Sequence, residues 1–344
     1  MKIMHLSQNL LDGGLETHIL DLCREHIKNG DRPYIFGMLV SDVFREQMED
    51  LGVEYIISQC PGADFRDFII KHDIQLFHCH PRKTISLGIE LGVTLNKPVV
   101  ITYHGYWGWD LQAHHKAQKV ISVCQEIFDQ VSAADPDITA KMTVIRNGID
   151  TDAFRPLNIP GNGSKILYIG RLVAEKYFTL KIIMEALRST PGMQLDVAGN
   201  GPYLEQLKSV APKCVNFLGF VKEMPAVINQ ADIVIGTGRG IKEAMACGKP
   251  AISTDNMCYD GIVTPENIET LEYSNFMGRS GLPLKKENLL QDVQMLVNAP
   301  ETRIDLGKWG RKYAEENYSI ADFFASHKKI YDELTCGNPP VYQP

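Results

Sequence analysis

Hydrophobic residues along the chain fall into short runs rich in β-branched side chains, and longer segments with helical spacing separate these runs. Runs with few polar positions, such as PVVITY and KILYIG, are typical of strands buried on both faces. Strands that alternate with helices predict an α/β fold with doubly wound parallel sheets. The predicted strands lie at 2–6, 34–40, 53–57, 74–79, 98–103, 119–123, 142–145, 165–170, 194–198, 214–218, 232–235 and 249–253.

This rhythm occurs in both halves of the chain, and the segment between them, 148–164, has prolines and glycines but no regular period. A length of 344 residues also favours two domains, at about 150 residues each. Helical spacing dominates the last part of the chain, and the final GNPPVYQP cannot continue a helix. We therefore predict Rossmann-like domains at 1–150 and 151–318, followed by a helical tail at 319–344.

The charge balance and the cysteines narrow the class of protein. There are 35 basic and 42 acidic residues, and a net charge of −7 argues against a nucleic-acid partner. The eight cysteines lie far apart without a CxxC pair, which is typical of reduced, mostly buried thiols. We find neither a signal peptide nor an apolar window long enough to span a membrane. These features predict a cytoplasmic protein; they leave peripheral membrane contact open and the oligomeric state undetermined.

A glycine pair follows the first predicted strand. Gly13 and Gly14 precede a helix with apolar residues on one face, so bare backbone N–H groups lie at a positive helix end. That arrangement suits a diphosphate. A tight turn without a ligand explains the pair equally well.

Histidines mark the ends of two later strands. His104 directly follows PVVITY, and the carboxyl ends of strands in doubly wound sheets line the binding crevice. We expect it to contact a sugar hydroxyl or a reacting oxygen rather than to cap a loop. His80 either reaches the same crevice or is structural, and His114 and His115 are expected at the surface. The aromatic stretch from Tyr103, YHGYWGW, either stacks on an acceptor sugar or packs as a loop, and we favour the acceptor.

The second half opens with two cations near a strand end. Arg171 follows KILYIG, and Lys176 lies about one helical turn later. Two fixed cations can hold a diphosphate leaving group and neutralise the charge that develops on it, a task that many transferases give to a metal ion. The alternative is a solvated loop with an ion pair to Glu175.

A glycine-rich turn follows the next strand, at Gly199, Asn200 and Gly201. The full dinucleotide spacing GxGxxG is absent, so a nicotinamide cofactor is not expected. We predict a tight turn against which a base or ribose lies.

The stretch 231–254, ADIVIGTGRGIKEAMACGKPAIST, predicts a strand, a glycine-rich turn, a short helix and another strand. Glu243 is expected in the first turn of the helix, where the dipole favours a carboxylate. Its two oxygens match the adjacent hydroxyls of a ribose. The amides of Gly240 and Ile241 are expected to face phosphates. The alternative, a helix cap with Glu243 in solvent, fits the pattern less well.

Taken in order, these motifs resemble glycosyltransferase family 4, whose members have the two-domain GT-B fold. The resemblance covers nearly the whole chain through GGLE, TYHG, IRNGIDTDAF, GRLVAEK, AGNGP, EAMACGKPAIS and NYS. It implies two doubly wound parallel-sheet domains that face each other across a cleft. The donor would bind the C-terminal half and the acceptor the N-terminal half, to which the helical tail would return.

The resemblance also implies roles for single residues. Arg171 and Lys176 would contact the donor diphosphate, and Glu243 would contact the nucleotide ribose. Gly14 would lie beside the phosphates and His104 near the transferred sugar. The implied reaction retains configuration without a metal ion or a cofactor, and it uses a nucleotide-diphosphate-sugar, with UDP as the expected nucleotide. The DxD sequence at 135–137 receives no metal role.

One position departs from the family pattern. Members usually carry a second glutamate eight residues before the one matched by Glu243, and here that position is Ile235. The missing glutamate would hold hydroxyls of the donor sugar. Our hypothesis is that Arg239 or the amides of Gly238 to Ile241 replace this contact.

Three functions remain open at this stage. The first is a glycosyltransferase with a glycan, lipid or small-molecule acceptor. The second is an isomerase of the nucleotide-sugar 2-epimerase type, although no convincing acid–base pair of carboxylates is evident. The third is a sugar-nucleotide-binding protein with weak catalysis or none.

Overall fold

A computed structural model describes residues 1–11, 13–80, 83–105, 114–157, 159, 161, 163–188, 190–279, 282–336 and 342. The chain divides into two compact units. Unit 1 comprises Met1–Gly148 together with Ala321–Pro344, and unit 2 comprises Ile149–Ile320. The chain therefore leaves unit 1 once and returns to it at the C-terminus.

Unit 1 is built on a seven-stranded sheet in the order β3-β2-β1-β4-β5-β6-β7, and each neighbouring pair is parallel. The order reverses beside β1, which lies between β2 and β4. β4 and β5 are mostly apolar, because helices cover both faces of the sheet, whereas β1 carries buried polar residues such as His5 and Ser7. The strands are β1 Lys2–Leu10, β2 Arg32–Val40, β3 Glu54–Ile57, β4 Leu76–Cys79, β5 Val99–Tyr103, β6 Lys119–Ser122 and β7 Met142–Val144.

The described helices of unit 1 are α1 Gly14–Lys28, α2 Asp42–Asp50, α3 Ala63–His72, α4 Lys83–Leu95 and α5 Gln125–Ala134, with a 3-10 helix at Pro136–Lys141. The C-terminal helix, which we number α13, spans Ile320–Thr335. Its buried face contacts unit 1 through ring–ring contacts of Phe323 with His18 and of Phe324 with His26. Tyr331 adds a hydrogen bond to His78, 2.8 Å from Oη to Nδ1.

Unit 2 has a six-stranded sheet in the order β10-β9-β8-β11-β12-β13. Its strands are β8 Lys165–Ile169, β9 Gln194–Ala198, β10 Val215–Gly219, β11 Ile233–Gly236, β12 Ala251–Asp255 and β13 Cys258–Ile262. The helices are α6 Ala174–Arg188, α7 Leu204–Val210, α8 Met224–Gln230, α9 Arg239–Ala246, α10 Ile268–Tyr273, α11 Lys286–Asn298 and α12 Pro300–Asn317. All twelve strands expected from the hydrophobic pattern are confirmed, with small shifts of their ends.

One edge strand of unit 2 runs against the otherwise parallel sheet. β13 pairs antiparallel with β12, and the sequence pattern had not indicated this strand. The two-residue turn between them places Asn256 and Met257 in the left-handed region, at φ 44° and 67°. Because neither residue is a glycine, the Asn-Gly or Asp-Gly pair that signals a two-residue hairpin is absent.

Half of the cysteines are buried, namely Cys23, Cys79, Cys124 and Cys247, whereas Cys60 and Cys336 are exposed. None of the eight, which all lie within the described residues, forms a disulfide. Within the described residues, no helix combines the length and apolar character that a membrane crossing requires.

Candidate functional site

The carboxyl ends of β8 and β11 meet where the strand order of unit 2 reverses. β8 pairs with β9 on one side and with β11 on the other, and all three are parallel. Ligands of doubly wound sheets bind at such a switch point, because the flanking loops diverge there and leave room. The predicted residues of unit 2 follow these strands: Arg171 after β8, the turn 199–201 after β9, and Arg239 and Glu243 after β11.

The loops after β8 and β9 are joined through their backbones. Gly170 N–H donates to the Ala198 carbonyl at 3.1 Å, and Leu172 N–H donates to the Asn200 carbonyl at 2.9 Å. A Cβ at Gly199 would lie 1.9 Å from the Gly170 carbonyl oxygen, so only glycine permits this approach. These contacts fix the backbone on both sides of Arg171. They also explain structurally why the turn at 199–201 contains a glycine at position 199.

We expect Gly199→Ala to lower the free energy of unfolding by about 1–3 kcal/mol, since the added methyl group must displace the Gly170 backbone. Calorimetric melting checks this. Gly192→Ala is the control, because Gly192 also has positive φ (82°) but nothing within 4 Å of its would-be Cβ. Equal losses in the two variants would contradict the packing argument.

Lys176 is the partly buried cation of the site. It lies on α6, and its Nζ is 3.6 Å from Oδ1 of Asp255, at the end of β12. Burial lowers the pKa of Lys176, the Asp255 carboxylate opposes that shift, and the nearby Arg171 guanidinium lowers the pKa further. Arg171 itself is exposed. Lys176 therefore lies near a second cation, and the Asp255 and Glu175 carboxylates both favour its charged form.

Asp255 is a site residue that the sequence reasoning missed. It is 7% exposed, and Thr237 donates its hydroxyl toward Oδ2 at 3.5 Å. The backbone N–H of Asn256 donates to Oδ1 at 3.0 Å. The sequence does contain a pattern that could have identified Asp255 as a site residue. It is the only acidic residue of the buried strand AISTD and lies at the carboxyl end of that strand.

Glu243 is held by Arg239. The two side chains lie one turn apart on α9, with Nε 2.7 Å from Oε1, and each is about 10% exposed. The helix begins at Arg239, so the expectation of Glu243 in the first turn is wrong: it lies in the second turn. Its charge is therefore stabilised by the guanidinium more than by the helix end. Nor does Glu243 project freely into solvent.

The turn before α9 depends on Gly238. Its φ of 57° and ψ of −123° suit glycine alone, and its N–H donates to the Phe276 carbonyl at 2.9 Å. Gly240 packs closely on β8, since a Cβ there would lie 3.2 Å from Ile169 Cβ. The Ile241 N–H donates to the Gly238 carbonyl at 3.3 Å. The role predicted for these amides toward phosphates stays a prediction.

In unit 1, Gly13 and Gly14 lie at the start of α1, after β1. Gly13 is the extended N-cap and its carbonyl accepts from Thr17 N–H at 3.0 Å. A Cβ at Gly14 would meet nothing within 4 Å. Packing therefore does not explain Gly14, and a phosphate contact there stays a prediction.

His104 follows β5 as expected and is half-buried. Its Nε2 lies 3.0 Å from Nδ1 of His80, which follows β4. The structure thus brings these two histidines together. Burial, and after it the charge of His327, lowers the pKa of His104 to about 3. Its predicted contact with a transferred sugar is not tested by these distances and stays a prediction.

The two histidines belong to a larger buried cluster that the sequence did not reveal. His5, His18, His26, His78 and His327 complete it, from β1, α1, β4 and α13. Burial is the main cause that lowers the pKa of each of these histidines. The members are up to 322 positions apart in sequence, so only the tertiary fold unites them.

The expectation that His114 lies at the surface is wrong. It is fully buried, with Nδ1 3.1 Å from Oη of Tyr103 and Nε2 2.8 Å from Oδ2 of Asp135. His115 is exposed and approaches the same carboxylate at 2.6 Å. The first aspartate of the DxD sequence is therefore bound to histidines. The remaining aromatic residues predicted to contact an acceptor, Tyr106, Trp107 and Trp109, lie outside the described residues.

Comparison with known families gives two adjoining matches. Residues 12–153 match the family described as Glycosyltransferase Family 4, and residues 150–312 match Glycosyl transferases group 1. A curated relative named "Putative glycosyltransferase EpsD", from Bacillus subtilis (strain 168), is 23% identical over 276 residues. That match covers 74% of this chain and 62% of the relative's length.

Solved structures show the same fold. Anabaena Alr3699/HepE in complex with UDP-glucose has a TM-score of 0.79 at 18% identity, over 97% of this chain and 100% of that one. Sucrose-phosphate synthase (tll1590) from Thermosynechococcus elongatus has a TM-score of 0.73 at 16% identity, over 97% and 99%. With its two α/β units, the chain has the GT-B fold, as the sequence predicted.

Proposed function

Because the chain belongs to the family 4, group 1 glycosyltransferases, we propose that it transfers a sugar from a nucleotide-diphosphate-sugar to an acceptor hydroxyl. The observation that carries the proposal is the set of charged groups at the switch point of unit 2. Arg171 and Lys176 bring two positive charges close together, and Lys176 is paired with the Asp255 carboxylate. Arg239 and Glu243 add a buried carboxylate beside the same strand ends.

The nucleotide is proposed to bind along this edge of unit 2. The diphosphate lies against Arg171 and Lys176, and the Glu243 carboxylate accepts hydrogen bonds from the ribose hydroxyls. Arg239 is proposed to position that carboxylate, since its Nε occupies one of the two oxygens. The turn 199–201 supports the base or ribose. UDP is the proposed nucleotide, a choice supported by the UDP and UDP-glucose named in the HepE complexes.

The proposed reaction retains the configuration of the sugar and needs no metal ion. The bond from the anomeric carbon to the diphosphate oxygen breaks, and a bond from that carbon to the acceptor oxygen forms on the same face. The acceptor proton passes to the departing diphosphate. Arg171 and Lys176 stabilise the charge that grows on the leaving group, which lowers the barrier.

If Lys176 stabilises the departing diphosphate, the rate of sugar transfer depends on the positive charge of its ammonium group. The pKa of Lys176 is below its ordinary value of 10.5, mainly because of burial, so the cation is lost at lower pH than for a solvated lysine. We expect kcat/KM for transfer, which reports groups of the free enzyme, to fall at alkaline pH with an apparent pKa below 10.5. In Lys176→Arg this decline should move to higher pH, because arginine stays protonated. A pH profile that is identical in the two proteins would contradict the role.

A donor panel tests the proposed function. We expect UDP-sugars to raise the melting temperature and to be hydrolysed slowly without acceptor, whereas CMP-sugars, which carry one phosphate, should do neither. GDP- and dTDP-sugars test the choice of base. Release of an epimerised free sugar or nucleotide-sugar would indicate an isomerase, and stabilisation without any hydrolysis or transfer would indicate a binding protein.

A further inference from the structure

Three imidazole rings form a hydrogen-bonded chain from the interior of unit 1 to the end of β5. His5 lies within β1, His80 follows β4 and His104 follows β5, and these strands are neighbours in the sheet. Nδ1 of His5 lies 3.3 Å from Nε2 of His80, and Nδ1 of His80 lies 3.0 Å from Nε2 of His104. His104 is half-buried, whereas the other two rings are fully buried. At the outer end of the chain, Nδ1 of His104 is therefore the ring nitrogen left for a ligand.

The three rings are neutral at neutral pH. Burial is the main cause that lowers the pKa of His5 and of His80 well below the ordinary value of 6.5, and the pKa of His104 is lowered to about 3. A neutral imidazole has one N–H and one lone pair, so in each hydrogen bond of the chain one ring donates and the other accepts.

The proton on His80 therefore sets the proton on His104. If Nδ1 of His80 donates to Nε2 of His104, then Nδ1 of His104 carries its proton and is a donor. If Nδ1 of His80 accepts instead, Nδ1 of His104 has the lone pair and is an acceptor. Because His80 has a histidine partner at each nitrogen, its own tautomer is coupled to that of His5.

The position of His80 is closely defined. Its backbone N–H donates to the Leu6 carbonyl at 2.8 Å, and its carbonyl accepts from the hydroxyl of Thr84. Its ring stacks on that of His5, with centroids 5.6 Å apart and planes at 28°. A ring held at its backbone and its face offers the hydrogen bond to His104 from a fixed place, as preorganised sites require.

His18 packs on His104 without such a hydrogen bond. The two rings meet at 89° with centroids 4.6 Å apart, and Nδ1 of His18 lies 2.9 Å from Oδ1 of Asn147. Nε2 of His18 has no hydrogen-bond partner among the described residues. Packing against His18 therefore restricts the rotation of the His104 ring, but the choice of its protonated nitrogen falls to His80.

We propose that His80 is a positioning residue for sugar transfer. It fixes the tautomer and the ring orientation of His104 and so determines how Nδ1 of His104 meets a hydroxyl of the donor sugar. His5 supports His80 from the interior. The effect on catalysis rests on the proposed function, whereas the hydrogen bond between His80 and His104 does not.

Nitrogen NMR of the full-length chain, labelled at the histidine rings, tests the hydrogen bond at neutral pH without ligand. Wild type should show a single tautomer of His104, whose signals His104→Gln identifies by their loss. In His80→Phe both tautomers of His104 should appear, because a phenyl ring neither donates nor accepts. An unchanged His104 tautomer in His80→Phe would overturn the proposal.

His78→Phe is the matched control. His78 is also fully buried, and its ring centroid lies 4.4 Å from that of His80. Its nitrogens, however, bind Thr102 Oγ1 at 2.7 Å and Tyr331 Oη at 2.8 Å. We expect this variant to melt at lower temperature but to keep the wild-type tautomer of His104. If His80→Phe does not fold, His80→Gln replaces it, because the longer amide reaches toward His5 rather than toward His104.

Hydrolysis of UDP-glucose tests the effect on catalysis. His80→Phe should lower kcat/KM by about 10-fold or more but change the affinity for UDP by less than about 2-fold, since UDP carries no sugar. In a His104→Ala background the same substitution should have no further effect, because it acts through His104. His80→Asn should recover much of the lost activity, since its amide lies near the place of Nδ1.

Two kinetic results count against the proposal in different ways. Equal losses from His80→Phe with and without His104 would show that His80 acts on the fold, and they would overturn the proposal alone. A wild type that hydrolyses no UDP-sugar would refute the proposed function, and with it the catalytic role of His80, even where the NMR result is as expected.

Discussion

Alanine at Arg171 is expected to lower kcat for sugar transfer by about 10²–10³-fold, with a smaller effect on the donor KM. The guanidinium follows β8 directly, and the contacts of the glycine turn at 199–201 hold the backbone around it. Its charge matters most when negative charge accumulates on the departing diphosphate. An interaction that strengthens in the transition state affects kcat more than KM.

Lys176→Ala is expected to give a loss of similar size, but it also leaves the buried Asp255 carboxylate without its cation. The double variant Lys176→Ala/Asp255→Asn separates the two effects, because it removes the unpaired charge as well. We expect it to regain stability but not turnover. Arg188→Ala is the control, since Arg188 is an exposed arginine at the far end of the same helix, α6. Transfer rates close to wild type in Arg171→Ala would contradict the assignment.

The second large effect is expected at Glu243. Glu243→Gln removes the charge that pairs with Arg239 and weakens the acceptor offered to the ribose, so UDP affinity should fall by about 10–100-fold. The loss should depend on the ribose hydroxyls. Wild type should bind UDP more tightly than 2′-deoxy-UDP, and that preference should shrink in Glu243→Gln.

Arg239→Ala completes this test. If the guanidinium only positions Glu243, the variant should show a reduced ribose preference, as Glu243→Gln does. If Arg239 instead contacts the donor sugar, UDP binding should change little while UDP-sugar binding falls. An unchanged preference for the 2′-hydroxyl in Glu243→Gln would show that this carboxylate does not bind the ribose.

Much of the fold followed from hydrophobic runs, because a strand buried on both faces is mostly apolar. The antiparallel β13 was missed, since Asp260 and Gly261 interrupt its apolar pattern and its turn has no glycine. The start of α9 was also misplaced. Gly238 forms its N-cap, whereas the sequence reasoning placed Glu243 in the first turn.

Site residues that directly follow a single predicted strand could be identified from the sequence. Those whose role depends on a contact with another side chain could not. Arg171, Lys176 and Glu243 stand in recognisable local patterns. The role of Asp255 follows only from its contact with Lys176, which lies 79 positions away in sequence. The role of Arg239 follows only from its contact with Glu243. The histidine cluster is the extreme case, because His18 and His327 meet only in the folded unit.

Calorimetric titration of wild type and Arg171→Ala with UDP and UMP tests most directly whether the cations of unit 2 hold a diphosphate. We expect wild type to bind UDP at least 10-fold more tightly than UMP, about 1.4 kcal/mol, and Arg171→Ala to abolish most of this difference. Equal affinities of wild type for UDP and UMP, or a preference that Arg171→Ala leaves intact, would contradict this role of the cations.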